Sequence, residues 1–299
     1  DLIRLGVEYT LDANRGQGLT YDIETPPQAA SSHTLRPRAY KDIPALNTAS
    51  IFLTDKGSFT LGGPVLKSEV GVRASNLFLN AEKSGGNKGY FVVEPRLNLS
   101  LSVLNRSNNR FFDDLAINGG FGISNKMPTL LYLYPEPTYY DFICLNRYNE
   151  SSGSGLAVIN TQIVNDTYNP DLKPANAVKK EIGISWNAKG ISGFATFFHE
   201  THSHEFGYNG QLYWSKFSQY IIPDGSSDLA LEGNNVTYML DGTRQTAATV
   251  DKMEFASWSR PSNNSRRIKY GIEYGLDLGT IKAIKTSVNI NGAWFHIER

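Results

Sequence analysis

The chain has 299 residues, and its 29 basic and 29 acidic side chains cancel. That balance argues against an electrostatic nucleic-acid binder and excludes an acidic solvating tail. Hydrophobic residues make up 40% with no run of about 18 apolar residues, so a transmembrane helix is excluded while a barrel strand, apolar only at every second position, is not. Cys144 is the only cysteine, so no disulfide framework or cysteine-rich zinc site is possible.

Period-two alternation dominates in chain order, placing alternate side chains on opposite faces of a sheet. Leu5, Val7, Tyr9 and Leu11 alternate with Arg4, Gly6, Glu8 and Thr10. A weaker segment lies near 49–56. Leu66, Val70, Val72 and Ala74 then alternate with Lys67, Glu69, Gly71 and Arg73. From Phe91 to Val103 the apolar positions alternate with Glu94, Arg96, Asn98 and Ser100. A second weak segment spans 112–125. Ile182, Ile184 and Trp186 alternate with Glu181, Gly183 and Ser185. A third weak segment spans 191–203. Ile268, Tyr270, Ile272, Tyr274 and Leu276 alternate with Lys269, Gly271, Glu273 and Gly275, and Ile284, Val288 and Ile290 close the series.

Several segments alternate for about ten residues or more, the span a tilted strand needs to cross a bilayer, against about 5–6 for soluble strands. Short links near 57–63, 104–111, 187–190 and 279–280 alternate with long ones near 12–48, 80–89, 126–176 and 204–265. Outer-membrane barrels have this asymmetry. The expectation is an all-β fold: an antiparallel up-and-down transmembrane β-barrel, present as about nine strands of a barrel of about 22. The alternation is running at Asp1 and still running at Arg299. Residues 1–299 are therefore expected to be one barrel domain, a window on a longer chain.

The polar face is charged and glycine-rich. Glu8, Arg73, Glu94, Arg96, Glu181 and Glu273 are the candidate lumen-facing residues, placed for water or for another piece of protein. Tyr9, Trp186, Tyr270, Tyr274 and Trp294 read as girdle or lipid-facing residues. Among loop aromatics, Tyr132, Tyr134, Tyr139, Tyr140, Tyr213 and Trp214 are candidate ligand contacts; interfacial girdle positions or packing between loops are the plainer readings. His199, His202 and His204, beside Glu200, form the only histidine cluster. They are a weak candidate metal site, because HETHSH lacks the spacing of a zinc-protease helix. Asp12, Asn14 and Gly16 depart from a calcium loop at the following positions, Gln17 and Ile23, and read as a turn. No nucleophile elbow, phosphate loop or dinucleotide glycine pattern occurs, and no catalytic residue or cofactor is expected.

Several stretches resemble the barrel of TonB-dependent outer-membrane receptors of the Bacteroidetes type. Gly6-Val7-Glu8-Tyr9, then Asn14-Arg15-Gly16-Gln17-Gly18 and Tyr21-Asp22, resemble a strand and the start of its outer loop. Arg36 to Pro44 resembles the return of that loop, and Phe121 to Leu130 a strand ending in a polar-basic-x-Pro turn. Asn169-Pro170-Asp171-Leu172-Lys173-Pro174, followed by Glu181-Ile182-Gly183, is similar to the family's NPxLKP element and is closer to its siderophore and vitamin branch than to its SusC-like glycan branch. Ala175 departs from the family's usual Glu. The resemblance covers barrel only; the family's plug domain and TonB-contacting segment lie outside it. It implies a multi-pass protein of the Gram-negative outer membrane, set in lipid. It also implies active import of a scarce bulky nutrient (siderophore, cofactor or oligosaccharide), coupling to TonB through a plug, and a surface lipoprotein as a further partner. A passive porin-like barrel and a soluble all-β carbohydrate-binding protein are the alternatives.

Overall fold

The computed structural model describes residues 2–18, 36–105, 109–149, 154–281 and 283–299. In chain order the strands are β1 (Leu2–Asp12), β2 (Leu46–Thr60), β3 (Val65–Phe78), β4 (Gly89–Asn105) and β5 (Asp114–Lys126). A single helical turn, α1 (Leu130–Leu133), precedes β6 (Thr138–Asn149) and β7 (Ser154–Val164). Then come β8 (Ala175–Ala188), β9 (Ile191–Ile221), β10 (Ser227–Glu232), β11 (Asn235–Leu240), β12 (Thr243–Thr246), β13 (Ala248–Ile281) and β14 (Thr286–Glu298). The fold is all-β and antiparallel throughout. Tyr21 and Asp22 of the loop resemblance, and Ile23, lie outside the described residues.

Nine strands form one antiparallel sheet, the wall, in the order β1-β2-β3-β4-β5-β8-β9-β13-β14. Every neighbour in that order is also the next wall strand in sequence, an up-and-down meander. Each stretch of alternation found in the sequence became a wall strand, and so did the three weak segments. The links at one end are short. Lys189 and Gly190 join β8 to β9 with φ of 52° and 86°, so both central residues are left-handed, as in the tightest hairpins. The last short link falls at 282–285 and not at 279–280: a register shift between Asp277 and Thr280 carries the strand past Gly279.

The register fixes the faces, because directly opposed residues share one. Glu94 faces Arg73, Arg73 faces Phe52 and Phe52 faces Gly6. Glu181 faces Gly120 and Phe198, while Gly183 faces Thr196, which faces Glu273. Glu8, Arg73, Glu94, Arg96, Glu181 and Glu273 therefore stand on one face. That face is concave. A cavity of about 740 Å³ is lined in common by Leu2, Lys56, Lys67, Asn98, Asn118, Glu181 and Thr196, one residue from each of seven successive strands. On a flat sheet the first and last of these strands would be roughly 29 Å apart; sharing a cavity requires the sheet to curl around its polar side.

The opposite face is apolar and uncovered. Val7 is 78% exposed and Ile182 60%, and Leu5, Leu53, Val72, Phe91, Ile117, Phe197, Ile272 and Trp294 are exposed with them.

Two segments expected to be loops are largely sheet. β6 and β7 form a hairpin within 126–176. Across 204–265, β9 and β13 simply continue as a paired ribbon, reaching 31 and 34 residues, and carry the small β10-β11-β12 sheet at its tip. Thirty-one strand residues span about 100 Å, far beyond a bilayer. Alternation fails to reveal this ribbon because both of its faces carry large apolar side chains. Tyr213 and Phe217 lie on one face, packed by the hairpin; Leu212, Trp214, Met253 and Phe255 lie on the other, exposed.

Candidate functional site

Several charges of the polar face are paired within it. Arg73 contacts Glu8 at 3.1 Å and donates to Ser50 at 3.1 Å and Ser75 at 3.3 Å; the two serine hydroxyls are 2.9 Å apart. Glu94 is almost fully buried and accepts from the backbone N–H of Asn125 at 2.6 Å. Lys56 pairs with Glu69 at 2.8 Å, and Lys179 pairs closely with Glu181. Lys269 stands over the rings of Phe198 and Phe295, 5.1 and 4.7 Å from their centroids. These paired side chains remain part-exposed on the concave face.

Not all of the glycine positions on this face are empty. At Gly183 an added Cβ would lie 2.6 Å from the Thr196 hydroxyl and 2.8 Å from the Ala195 carbonyl, so β9 closes against β8 only because no side chain is there. The ring of Phe52 fills the space above Gly6. Phe52, Phe194, Phe198 and Phe295 are polar-face aromatics that the charge pattern did not reveal; for Phe194 and Phe198, even spacing with Thr196 on β9 was the available signal.

The candidate ligand aromatics separate into three situations. Tyr134 is 5% exposed, in a core with Leu46, Leu77, Leu133 and Leu172, and its hydroxyl accepts from the Asn80 N–H at 3.3 Å. Burial pushes its phenol up from the ordinary value. Tyr134 thus packs the loop end, where it also lines a cavity of about 510 Å³ with Arg38, Lys83 and Tyr168. Tyr132 stacks on Tyr208 at 5.3 Å and lies against Phe206 at 5.1 Å. Tyr140 stacks on Tyr213 at 5.0 Å with an interplanar angle of 8°, joining the hairpin to the ribbon; the Tyr213 hydroxyl donates to Gln162 at 2.9 Å. Tyr139 lies beneath Arg36, which also binds Asp141 at 2.6 Å. Trp214 alone of the six presents most of its ring, 54% exposed, edge-to-face with Phe255 at 4.3 Å.

The structure does not gather the histidines. His199 lies on the apolar face, since it opposes Lys180 and Tyr270. His202 lies on the polar face, 3.1 Å from Glu200 and 3.7 Å from Glu205. His204 sits at a bulge with φ of 57°. Three residues apart on a strand means opposite faces, and the bulge removes the parity His202 and His204 would have shared. Among the described residues no group of three metal-ligating side chains forms. The Asp12–Gly16 segment is a turn, with Asn14 Oδ1 accepting from the Gly16 N–H at 2.9 Å.

No protein-family model matches the chain, and no curated protein matches it. Among solved structures, the crystal structure of the siderophore receptor PirA from Acinetobacter baumannii is similar at a TM-score of 0.33 and 12% identity. The match covers 85% of this chain and 36% of that one, so the chain spans about a third of the receptor's length. A likeness that slight carries no residue, ligand or partner across.

The Asn169–Pro174 element has its own structural task. Asn263 Oδ1 accepts from the Lys173 N–H at 2.7 Å, while Asn263 Nδ2 donates to the Lys173 carbonyl at 2.9 Å and the His204 carbonyl at 2.6 Å. Asn169 donates to the Pro261 carbonyl at 2.8 Å, and Arg260 donates to the Tyr168 carbonyl at 2.8 Å. Leu172, 2% exposed, anchors the element in the loop-end core. The element clamps the place where β9 and β13 leave the wall, with register shifts from Ser262 through Arg267.

Proposed function

We propose that this chain is a stretch of the wall of an outer-membrane β-barrel that takes part in active uptake of a scarce, bulky nutrient, a siderophore, cofactor or oligosaccharide. One observation carries the membrane part. All nine wall strands present apolar side chains outward with nothing over them, while their inward face is polar and concave. In water so large an apolar face would be a liability; in a bilayer it is the required surface. The Bacteroidetes-type resemblance in the Asn169–Pro174 and Glu181–Gly183 stretches supports the receptor part.

In this reading the wall performs no bond-making chemistry and needs no resident cofactor. Glu8, Arg73, Glu94, Arg96, Glu181 and Glu273 face the lumen and hold water or a plug. The outer ribbon, hairpin and loop end stand where a ligand first arrives, with Tyr132, Tyr134, Tyr139, Tyr140, Tyr213 and Trp214 as the candidate contacts. Energy comes from the inner membrane through TonB acting on a plug, and a surface lipoprotein is a further candidate partner.

The test is fractionation of the host cell followed by uptake. The full-length gene product is expected in the outer membrane, extractable by detergent, with mobility in gels that changes on boiling. Recovery in the soluble fraction would end the barrel reading. Uptake that persists when the inner-membrane energy source is removed would leave a passive porin.

A further inference from the structure

Besides Asp55 toward the short turns and Glu298 at the loop end, the apolar face is interrupted by one basic row. Phe121 opposes Lys180, Lys180 opposes His199, His199 opposes Tyr270 and Tyr270 opposes His296, a single row across β5, β8, β9, β13 and β14. Three of its five members are basic or can become so. The next row toward the short turns is Ile182, Phe197, Ile272 and Trp294, all exposed; the next toward the loops is Val178, Thr201, Ile268 and Glu298. Lys180 is exposed, and among the described residues neither Lys180 nor His199 has an ion-pair partner. His296 has a distant one, Glu298 at 3.5 Å, and its ring lies 5.3 Å from that of Tyr270.

An ammonium group on a lipid-facing surface is costly unless it reaches an anion or water. Lys180 lies five residues from the loop end of β8. Its four-carbon stem can extend toward that side, as lysines near a membrane surface do. The headgroups there carry phosphates, and the neighbouring imidazoles and phenol supply further donors to phosphate oxygens.

We propose that Lys180, His199, Tyr270 and His296 form a binding site on the outside of the wall for a lipid bearing a phosphate in its headgroup. The acyl chains lie along Ile182, Phe197 and Ile272, and the phosphate meets Lys180 and its neighbour His199, with Tyr270 and His296 flanking it along the row. The inference rests on the barrel reading above, because only a lipid-facing wall brings a headgroup to this row.

The test uses the full-length protein extracted from the outer membrane in a neutral sugar detergent. It is stripped of lipid and titrated with a phosphorylated lipid, and native mass spectrometry reads the adducts. One lipid adduct per wall is expected, weakened roughly tenfold in Lys180→Gln/His199→Gln, as loss of one or two charge-assisted hydrogen bonds implies. Lys180→Arg should keep it, and inorganic phosphate alone should neither bind nor compete at matched concentration. Equal adducts in wild type and Lys180→Gln/His199→Gln would overturn the site, as would full competition by free phosphate. Failure of the barrel reading is seen separately, earlier in the same experiment, as absence of the protein from the outer membrane.

Discussion

The wall and the outer assembly of β6, β7, β10–β12 and the ribbon halves of β9 and β13 are both antiparallel sheet, yet they dispose of apolar side chains in opposite ways. The outer assembly packs one face of its ribbon against the hairpin, though Leu212, Trp214, Met253 and Phe255 stay exposed on the other. Phe142, Cys144 and Phe217 form one buried cluster, and Leu145, Val236, Tyr238 and Ala247 another. The wall turns its apolar side chains out and keeps charge and hydroxyls on the concave side. The difference teaches that the outer assembly has buried clusters of its own, whereas the wall leaves its apolar side chains uncovered.

Phe217→Ala should separate the regions most strongly. It removes a ring stacked at 4.8 Å on Phe142 in a buried cluster. A loss of about 3–5 kcal/mol is expected in the outer assembly. Limited proteolysis should open 138–164 and 205–262 while the boiling-dependent mobility of the wall persists. Simultaneous loss of both would mean that the regions are one cooperative unit.

Ile182→Arg reverses the logic by charging the apolar face. It should cost about 2–4 kcal/mol in unfolding from bilayers and leave the protease pattern of the outer assembly untouched. A neutral effect in lipid would argue that this face does not meet hydrocarbon.

Asn263→Ala attacks the junction. It removes three hydrogen bonds between the Lys173 and His204 backbones and β13, and a cost of about 1–3 kcal/mol is expected. Hydrogen exchange should rise at 204–208 and 172–174 before it rises in the wall. Unchanged exchange there would show that Leu172, Asn169 and Arg260 hold the clamp without Asn263.

The smallest effect is a pH dependence confined to the ribbon. Asp251 is held below the usual carboxylate range by the hydrogen bond and charge of Lys216, and Lys216 is raised by the same partner. The carboxylate contribution is present above the unfolded value and lost as pH falls through the lowered folded one, below about pH 4. The ammonium contribution is present below its unfolded value and lost only as pH rises through the raised folded one, above about pH 10. Both side chains are solvated, so ribbon stability, followed by Trp214 fluorescence, should stay flat between pH 5 and 9 and move little outside it. A transition near pH 7 would place control elsewhere.

Sequence reading located the wall because one face of every wall strand is left uncovered. Leu5, Val7 and Tyr9, or Ile268, Tyr270 and Ile272, alternate cleanly since nothing packs unevenly against them. The same rule failed for 205–221, where Tyr213 and Trp214 are adjacent and both large: one meets Tyr140, the other stays open. Tyr134 could not be told from the other loop aromatics, because its neighbours Leu46, Leu77 and Leu172 are distant in sequence.

What the chain determined by itself is the period-two pattern, the wall strands it implies, the up-and-down order and the charged character of one face. These follow from local geometry, since alternate residues of any extended strand point opposite ways. Only the tertiary structure decided the curl around the polar face, the continuation of β9 and β13 past the wall, the clamp at Asn263 and the row from Phe121 to His296. Each depends on register between strands tens of residues apart, and a shift of one residue would turn every one of those side chains to the other face.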